Sequence, residues 1–310
     1  MKIISEQQVH ESLNFNEVIN ALKVGFAKPA GTPTRQVFEL SKSEENHDAF
    51  AVLPAWNEEV IGVKSFTYFP SNAKHGYKSL YSKIMLFDRS HGEPLALVDG
   101  TSVTLWRTAA VSALASQYLS RLDSAHLVYF GSGNLSRYMI EAHMSVRDIK
   151  KVTIIARNQN KAESLRASLA EKYTQVAFLL GESNQATIGS ADIISCGTGA
   201  HDPLFEGHWV SDGAHIDLIG NHHKQFRECD STSVVRSKVY VDSRANVLNE
   251  AGEILLPIAE GVFSEKQIIA ELSEIHQLDT LRAKTDITLF KSVGTALSDL
   301  LTAHLVYKSS

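Results

Sequence analysis

Residues 125–133 read Ala125-His126-Leu127-Val128-Tyr129-Phe130-Gly131-Ser132-Gly133. A short run of apolar, β-branched and aromatic side chains stops at a glycine pair, and Ser136 to Val146 follows with the composition of a helix. A strand that ends in Gly-x-Gly and opens a helix offers bare backbone amides at a helix N-terminus, where a pyrophosphate binds. Glycine meets two demands there, a tight turn and close approach of the phosphate to the backbone. The third small position of the fingerprint is Ser136 in place of Gly or Ala, still small enough for helix packing. Gly131, Ser132, Gly133, Asn134 and Leu135 are therefore the candidate cofactor cradle.

Downstream, strand-like and helix-like stretches alternate. Lys151 to Ala156 is a second buried-strand candidate, Lys161 to Tyr173 suits a crossover helix, and Gln175 to Leu180, Ala191 to Cys196, Ala214 to Ile219 and Lys238 to Asp242 continue the series. That alternation is most simply a parallel sheet covered on both faces, so the fold class is α/β with a Rossmann-type doubly wound sheet. An acid at the end of the second strand would accept from the ribose 2′-hydroxyl of NAD, and none is present. Arg157 and Asn158 stand there instead, suiting a 2′-phosphate, so NADP(H) is the expected cofactor with NAD(H) as the alternative. Gly197 and Thr198, after the fourth strand, are expected to reach the cofactor from the other side.

Upstream the rhythm changes. Short runs at 51–54, 60–68, 83–87 and 94–98 are separated by turn formers, and Asp88 to Glu93 reads as a hairpin connection, which points to an antiparallel or mixed sheet. Thr104 to Leu119 reads as a largely buried helix, and Ser292 to Tyr307 carries a helical apolar stripe that should pack on the first domain. The 310 residues, 44% hydrophobic and 21% charged, suit two globular domains. No apolar run approaches the roughly 18 residues of a membrane span and no leader-like start is present, so a cytoplasmic protein is expected. A net charge of −5 gives no basic footprint for nucleic acid. Cys196 and Cys229 form neither a disulfide framework nor a metal spacing.

Three cations stand out by their surroundings. Arg35 follows a loop of Gly and Pro, Lys64 lies inside an apolar strand run, and Arg107 opens an Ala-rich helix. A charge in such a place costs several kcal/mol unless an anion compensates it. A substrate carboxylate is one partner, held bidentately by Arg and by a point charge from Lys. The other reading is an internal pair with a local acid such as Asp88 or Asp99.

The segment 83–119, KIMLFDRSHGEPLALVDGTSVTLWRTAAVSALASQYL, resembles the ornithine cyclodeaminase/μ-crystallin family, as do GTPTR at 31–35, LPAW at 53–56, GVK at 62–64, IARNQNKAE at 155–163, GAHIDLIG at 213–220, RECD at 227–230 and FKSVGTALSDL at 290–300. The resemblance implies a discontinuous α+β domain, residues 1–120 with 288–310, that binds substrate and builds a homodimer, and a Rossmann domain over 121–287. It implies that a small amino or imino acid meets a nicotinamide in the cleft between the domains, with Arg35, Lys64 and Arg107 on its carboxylate. Thr108, Ser292 and Gly294 join the cofactor positions on the same ground.

One departure bears on the reaction. Ornithine cyclodeaminases carry an aspartate, acting on the substrate amine, in the loop that here reads Gly220-Asn221-His222-His223-Lys224, and His222 takes its place. Cyclodeamination needs a basic carboxylate there, whereas reduction of a preformed cyclic C=N bond does not. The expected activity is reduction of Δ1-pyrroline-2-carboxylate, and of the six-membered Δ1-piperideine-2-carboxylate, with Lys64, Arg107 and His222 as the catalytic candidates. His222 or His223 would supply a proton near neutral pH, although a solvated loop histidine is an equal reading. Ornithine cyclodeamination, alanine dehydrogenation and non-catalytic ligand binding of the μ-crystallin kind are the competing functions.

Overall fold

The structure, a computed structural model, describes residues 1–41 and 48–310. Two compact units divide the chain, residues 1–107 with 295–310 and residues 108–294.

The first unit contains β1 (Lys2–Ile4), α1 (Glu6–Ser12), α2 (Phe15–Phe26), β2 (Gln36–Glu39), β3 (Ala49–Trp56), β4 (Val60–Tyr68), β5 (Leu80–Asp88), β6 (Pro94–Asp99), the start of α3 (Gly100–Leu119) and the C-terminal helix (Ala296–Ser309). Its six-stranded sheet runs β1-β6-β5-β4-β3-β2, antiparallel except for the parallel β1–β6 pair. The expected hairpin joins β5 to β6. Asp88 Oδ1 accepts from the Ser90 and His91 amides, both at 2.8 Å, and Gly92 takes the left-handed φ of 72° that closes the turn.

Alternation along the strands sorts the two faces. One cross-strand row, Leu53, Lys64, Ile84, Val98 and Ile4, is buried. The C-terminal helix lies on this face, so close to β4 that a Cβ at Gly62 would come within 2.5 Å of Leu300 Cδ1. The next row, Pro54, Val63, Met85, Leu97 and Ile3, belongs to the opposite face and stays half-buried or exposed. The strand pattern therefore pushes Lys64 under the C-terminal helix, a consequence of register alone.

The second unit holds the rest of α3, then β7 (His126–Phe130), α4 (Ser136–Val146), β8 (Lys151–Ile155), α5 (Gln159–Lys172), β9 (Ala177–Leu180), α6 (Gln185–Gly189), β10 (Ile193–Cys196), β11 (His215–Leu218), α7 (Ser231–Val235), β12 (Ser237–Val241), α8 (Arg244–Glu250), α9 (Gly252–Ala259), β13 (Ile268–Glu271) and β14 (Ile287–Lys291). All eight strands are parallel, in the order β13-β12-β14-β11-β10-β7-β8-β9. From β7 the chain winds outward through β8 and β9, then returns to place β10 on the other side. The switch point of this doubly wound sheet lies between β7 and β10.

The observed division differs from the expected boundaries after 120 and before 288. The second half of α3 belongs with the nucleotide fold: Arg147 donates to the carbonyls of Ser116, Gln117 and Ser120, and Thr288 Oγ1 donates to the Leu119 carbonyl. Ile287–Lys291 is not a lead-in to the terminal helix. It is β14, buried at every residue and inserted between β11 and β12, so the unit ends at Gly294.

Candidate active site

In the first unit Lys64 and Arg107 meet on one acid. Lys64 Nζ lies 2.9 Å and Arg107 Nε 3.0 Å from the same oxygen, Asp299 Oδ1, and Lys64 Nζ also donates to Thr104 Oγ1 at 2.7 Å. The local acids offered as alternative partners are engaged elsewhere. Asp99 pairs with Lys83 and caps the first turn of α3 at Ser102, while Asp88 shapes its own hairpin. Asp299 comes instead from the C-terminal helix, more than 190 residues away in sequence.

Two positive charges share one negative charge, so the trio carries a net +1. Lys64 and Asp299 are almost wholly buried, whereas the Arg107 side chain keeps 12% of its surface. Arg107 bonds to Asp299 through Nε alone; its two terminal nitrogens bond to no group among the described residues. Burial, opposed by Asp299 and reinforced by Arg107 and Arg35, pulls the Lys64 ammonium down to about 8. Arg35 is thus close enough to act on Lys64. Its loop is tied to the end of β3, because Gly31 exchanges two backbone hydrogen bonds with Trp56 at 2.9 and 3.0 Å. The arrangement suits a small anion.

The loop expected to cradle a nucleotide lies in the second unit, at the switch point. Gly131 takes φ 136°, and a Cβ there would stand 3.0 Å from the Gly197 carbonyl oxygen. A Cβ at Gly133 would meet nothing within 4 Å, so that side of the loop is open. Every other helix of seven or more residues that starts in this unit after Asn158, except α9, has a side-chain N-cap, but α4 begins at Leu135 with none. The Ser136 amide donates to the Gly133 carbonyl at 3.0 Å, and the open glycine loop before a helix with no side-chain cap fits a dinucleotide phosphate. Arg157 and Asn158 follow β8 and line a surface pocket with Gln159 and Asn160. No described acid pairs with Arg157, and Asn158 caps α5 by accepting from the Lys161 amide at 3.0 Å.

Ser292 and Gly294 flank a turn held by a buried acid that sequence reasoning missed. Asp242 Oδ2 accepts from Ser292 Oγ, the Val293 amide and the Gly294 amide at 2.7–3.0 Å. Thr198 is bound at both its amide and its hydroxyl, each 2.8 Å from Glu228 Oε1. His222 is exposed at the tip of the loop after β11, and His223 beside it is exposed too. Thr108 is half-buried on α3, the first residue of the second unit. Asp299, Glu228, Asp242 and Lys291 were all missed. The signal was the one that marked Lys64: a charge within an apolar run, as in Leu297-Ser298-Asp299-Leu300 and Leu289-Phe290-Lys291. Among the described residues, no group of three or more His, Cys, Asp or Glu is placed to hold a metal ion, and no helix is long and apolar enough to cross a membrane.

The profile of the ornithine cyclodeaminase/mu-crystallin family matches residues 1–310. A relative from Colwellia psychrerythraea, named Delta(1)-pyrroline-2-carboxylate reductase, is 56% identical over 310 residues, covering 99% of this chain and 98% of its own. Among solved structures, Thermococcus litoralis Delta(1)-pyrroline-2-carboxylate reductase in complex with NADH and L-proline superposes with a TM-score of 0.93 at 34% identity, covering 100% of this chain and 97% of that one. The iminosuccinate reductase of Paracoccus denitrificans in complex with NAD+ follows at a TM-score of 0.91 and 26% identity, covering 100% and 96%.

Replacing Asp299 by Ala leaves Lys64 and Arg107 buried together without an acid. Unfolding free energy at pH 7, from urea titration, should fall by about 3–5 kcal/mol. The folded Lys64 pKa lies below its ordinary value, so stability is regained as pH rises and the lysine sheds its proton. The variant, without the acid that holds that proton, regains it sooner, so its deficit should shrink as pH rises toward 8 and stay level above, once Lys64 is neutral in both proteins.

Proposed function

The chain belongs to the ornithine cyclodeaminase/mu-crystallin family, and on that premise we infer that it reduces the cyclic ketimine Δ1-pyrroline-2-carboxylate to L-proline with a reduced nicotinamide cofactor. The observation that carries this reading is the unbalanced charge at Asp299, with the Arg107 fork bonded to no acceptor among the described residues. A monocarboxylate restores the balance. Arg107 takes the carboxylate through its two terminal nitrogens, Lys64 adds a fixed charge, and Arg35 contributes from the loop after Gly31. Held by its acid group, the substrate has its imine carbon fixed as well, and positioning of this kind supplies a large part of the acceleration. The bound cofactor supplies the hydride that adds to the imine carbon. The ring nitrogen takes up a proton, so C=N becomes CH–NH. His222 is our candidate for that proton, on the grounds of its position in the family's loop and an imidazole's range. The six-membered homologue is the second substrate we propose.

The cofactor is placed by Gly131, Ser132, Gly133, Asn134 and Leu135 at its phosphates, with Thr108, Gly197, Thr198, Ser292 and Gly294 as the further contacts we propose. We assign Arg157 and Asn158 to a 2′-phosphate, which makes NADP(H) the preferred form. Support comes from the missing acid at the end of β8 and from an exposed guanidinium that no described acid neutralises. The partner we propose is a second copy of the chain. The row Pro54, Val63, Met85, Leu97 and Ile3 lays an apolar stripe across the first unit's sheet, with Ile3 74% exposed, and a two-fold interface pairs such a stripe with itself.

Three measurements test these assignments. Purified protein should oxidise the reduced cofactor only when a cyclic ketimine is added, and Arg107→Ala should lower kcat/KM about 100-fold, the worth of two charge-assisted hydrogen bonds. The variant should stay folded, because the remaining Lys64–Asp299 pair is balanced. Faster conversion of ornithine to proline and ammonia overturns the reading. Arg157→Ala should raise KM for NADPH about tenfold with little change for NADH. Met85→Lys should convert a dimer into a folded monomer by sedimentation; a monomeric wild type, or a dimeric variant, removes the interface.

A further inference from the structure

We propose that Glu228 is a positioning residue for the nicotinamide cofactor, its carboxylate tying together the two loops that leave the carboxyl ends of β10 and β11. One oxygen accepts from the Thr198 amide and hydroxyl, both at 2.8 Å, and the other from the Gly220 amide at 2.8 Å. The two loops touch backbone to backbone, since a Cβ at Gly220 would fall 2.1 Å from the Thr198 carbonyl oxygen. The first of them also abuts the glycine loop, where a Cβ at Gly131 would stand 3.0 Å from Gly197 O. Ligands of open parallel sheets bind in the crevice outside these strand ends, at the switch point. The grip of Glu228 thus reaches the cradle through Thr198 and Gly197.

The carboxylate is itself fixed from behind. The Glu228 amide donates to Glu253 Oε1 at 3.0 Å, and Lys291 Nζ lies 3.0 Å from Glu253 Oε2 and 2.9 Å from the Asn221 carbonyl. Asn221 Nδ2 donates to Glu253 Oε2 and to the carbonyls of His223 and Phe226, so the second loop is pinned along its length. Glu228, Glu253 and Lys291 have no solvent-exposed surface. Two acids face one base, and the surplus negative charge is met by the donors of Thr198 and Gly220. Three donors converge on Glu228, a backbone amide on each oxygen and the Thr198 hydroxyl beside one of them, an arrangement that an ionised carboxylate satisfies best. A protonated acid, or the amide of glutamine, turns a hydrogen toward one of them and releases that loop.

The groups facing Glu228 are Lys291 on β14, Glu253 on α9, Tyr129 on β7, Cys196 on β10 and Cys229 beside it. Burial, opposed by Lys291 and reinforced by Glu253, raises the Glu228 carboxyl to about 7. The sign follows: the loops are tied above pH 7 and loosen as pH falls through it, so cofactor affinity should drop on acidification.

The test is calorimetric titration of the full-length protein with NADPH and with NADH at pH 6, 7 and 8, beside urea unfolding. In the wild type, Kd for the better nucleotide should rise about tenfold from pH 8 to 6. In E228Q it should be about tenfold higher at pH 8 and no longer vary with pH, and cofactor KM should rise more than kcat falls. E228Q should fold, because the trio becomes neutral. Removing the neighbouring acid with E253Q should move the pH profile of affinity to lower pH. Wild-type Kd values in E228Q, with reduced stability alone, overturn the proposal in favour of a purely structural role. So does a pH dependence that persists in E228Q, or an unshifted profile in E253Q. A wild type that binds neither nucleotide overturns the cofactor reading itself and this inference with it.

Discussion

One carboxylate oxygen, Asp299 Oδ1, divided between Lys64 and Arg107, is the constraint on which the first unit's chemistry depends. Each cation alone would be too costly to bury beneath an apolar helix, and the acid alone equally so. Together they are held within about 3 Å of a common point, and the energy of that arrangement leaves one positive charge over. The surplus cannot spread into solvent, because Lys64 is sealed under the C-terminal helix. It falls to Arg107, whose planar fork keeps its geometry while only Nε is used. The substrate carboxylate we propose would find its partners already oriented, with little side-chain ordering left to oppose binding.

The second unit solves the same problem with the sign reversed. Lys291 pairs with Glu253 and acts on Glu228, all three in full burial, and the surplus is negative. Backbone amides absorb it, as they do at Asp242, where a single oxygen gathers the turn from Ser292 to Gly294. In both units an odd number of buried charges leaves a remainder. Where the remainder is positive it lies on a cation with unused donors among the described residues, and where it is negative it fastens loops. Peptide N–H groups are abundant at strand ends and cannot compensate a cation, which accounts for the asymmetry.

Much of this was legible. The run 125–133 and the apolar setting of Lys64 each carry a local signal, because strand alternation, turn geometry and the cost of a buried charge are written in neighbouring residues. The first unit's buried face and its hairpin at Asp88 follow from the same alternation. What could not be read depends on pairing across long separations. Asp299 is distant from Lys64 in sequence, and nothing near either residue names the other; the nearer acids Asp88 and Asp99 were equally plausible partners. The place of β14 between β11 and β12 is a matter of sheet order, and no feature of Ile287–Lys291 distinguishes an interior strand from the approach to a helix. The boundary inside α3 was hidden for a related reason: the helix is apolar on all sides and shows no change of pattern where it passes from one unit to the other.

The loop after β11 combines a braced backbone with an exposed side chain at its tip. Its backbone is set by groups that do not touch substrate: Asn221 braces it from within, Lys291 and Glu253 from behind, and Glu228 at its first residue. His222 rides on that frame as an exposed side chain whose position is dictated by its neighbours. On the role we propose for His222, exchange at this one position alters basicity and charge beside the substrate nitrogen, at little cost to packing. A carboxylate there would serve deamination, which needs a base to free an attacking amine; an imidazole keeps a proton available near neutral pH, which is what a preformed imine requires. The fold constrains the place of the group, and its chemistry is left to a single side chain.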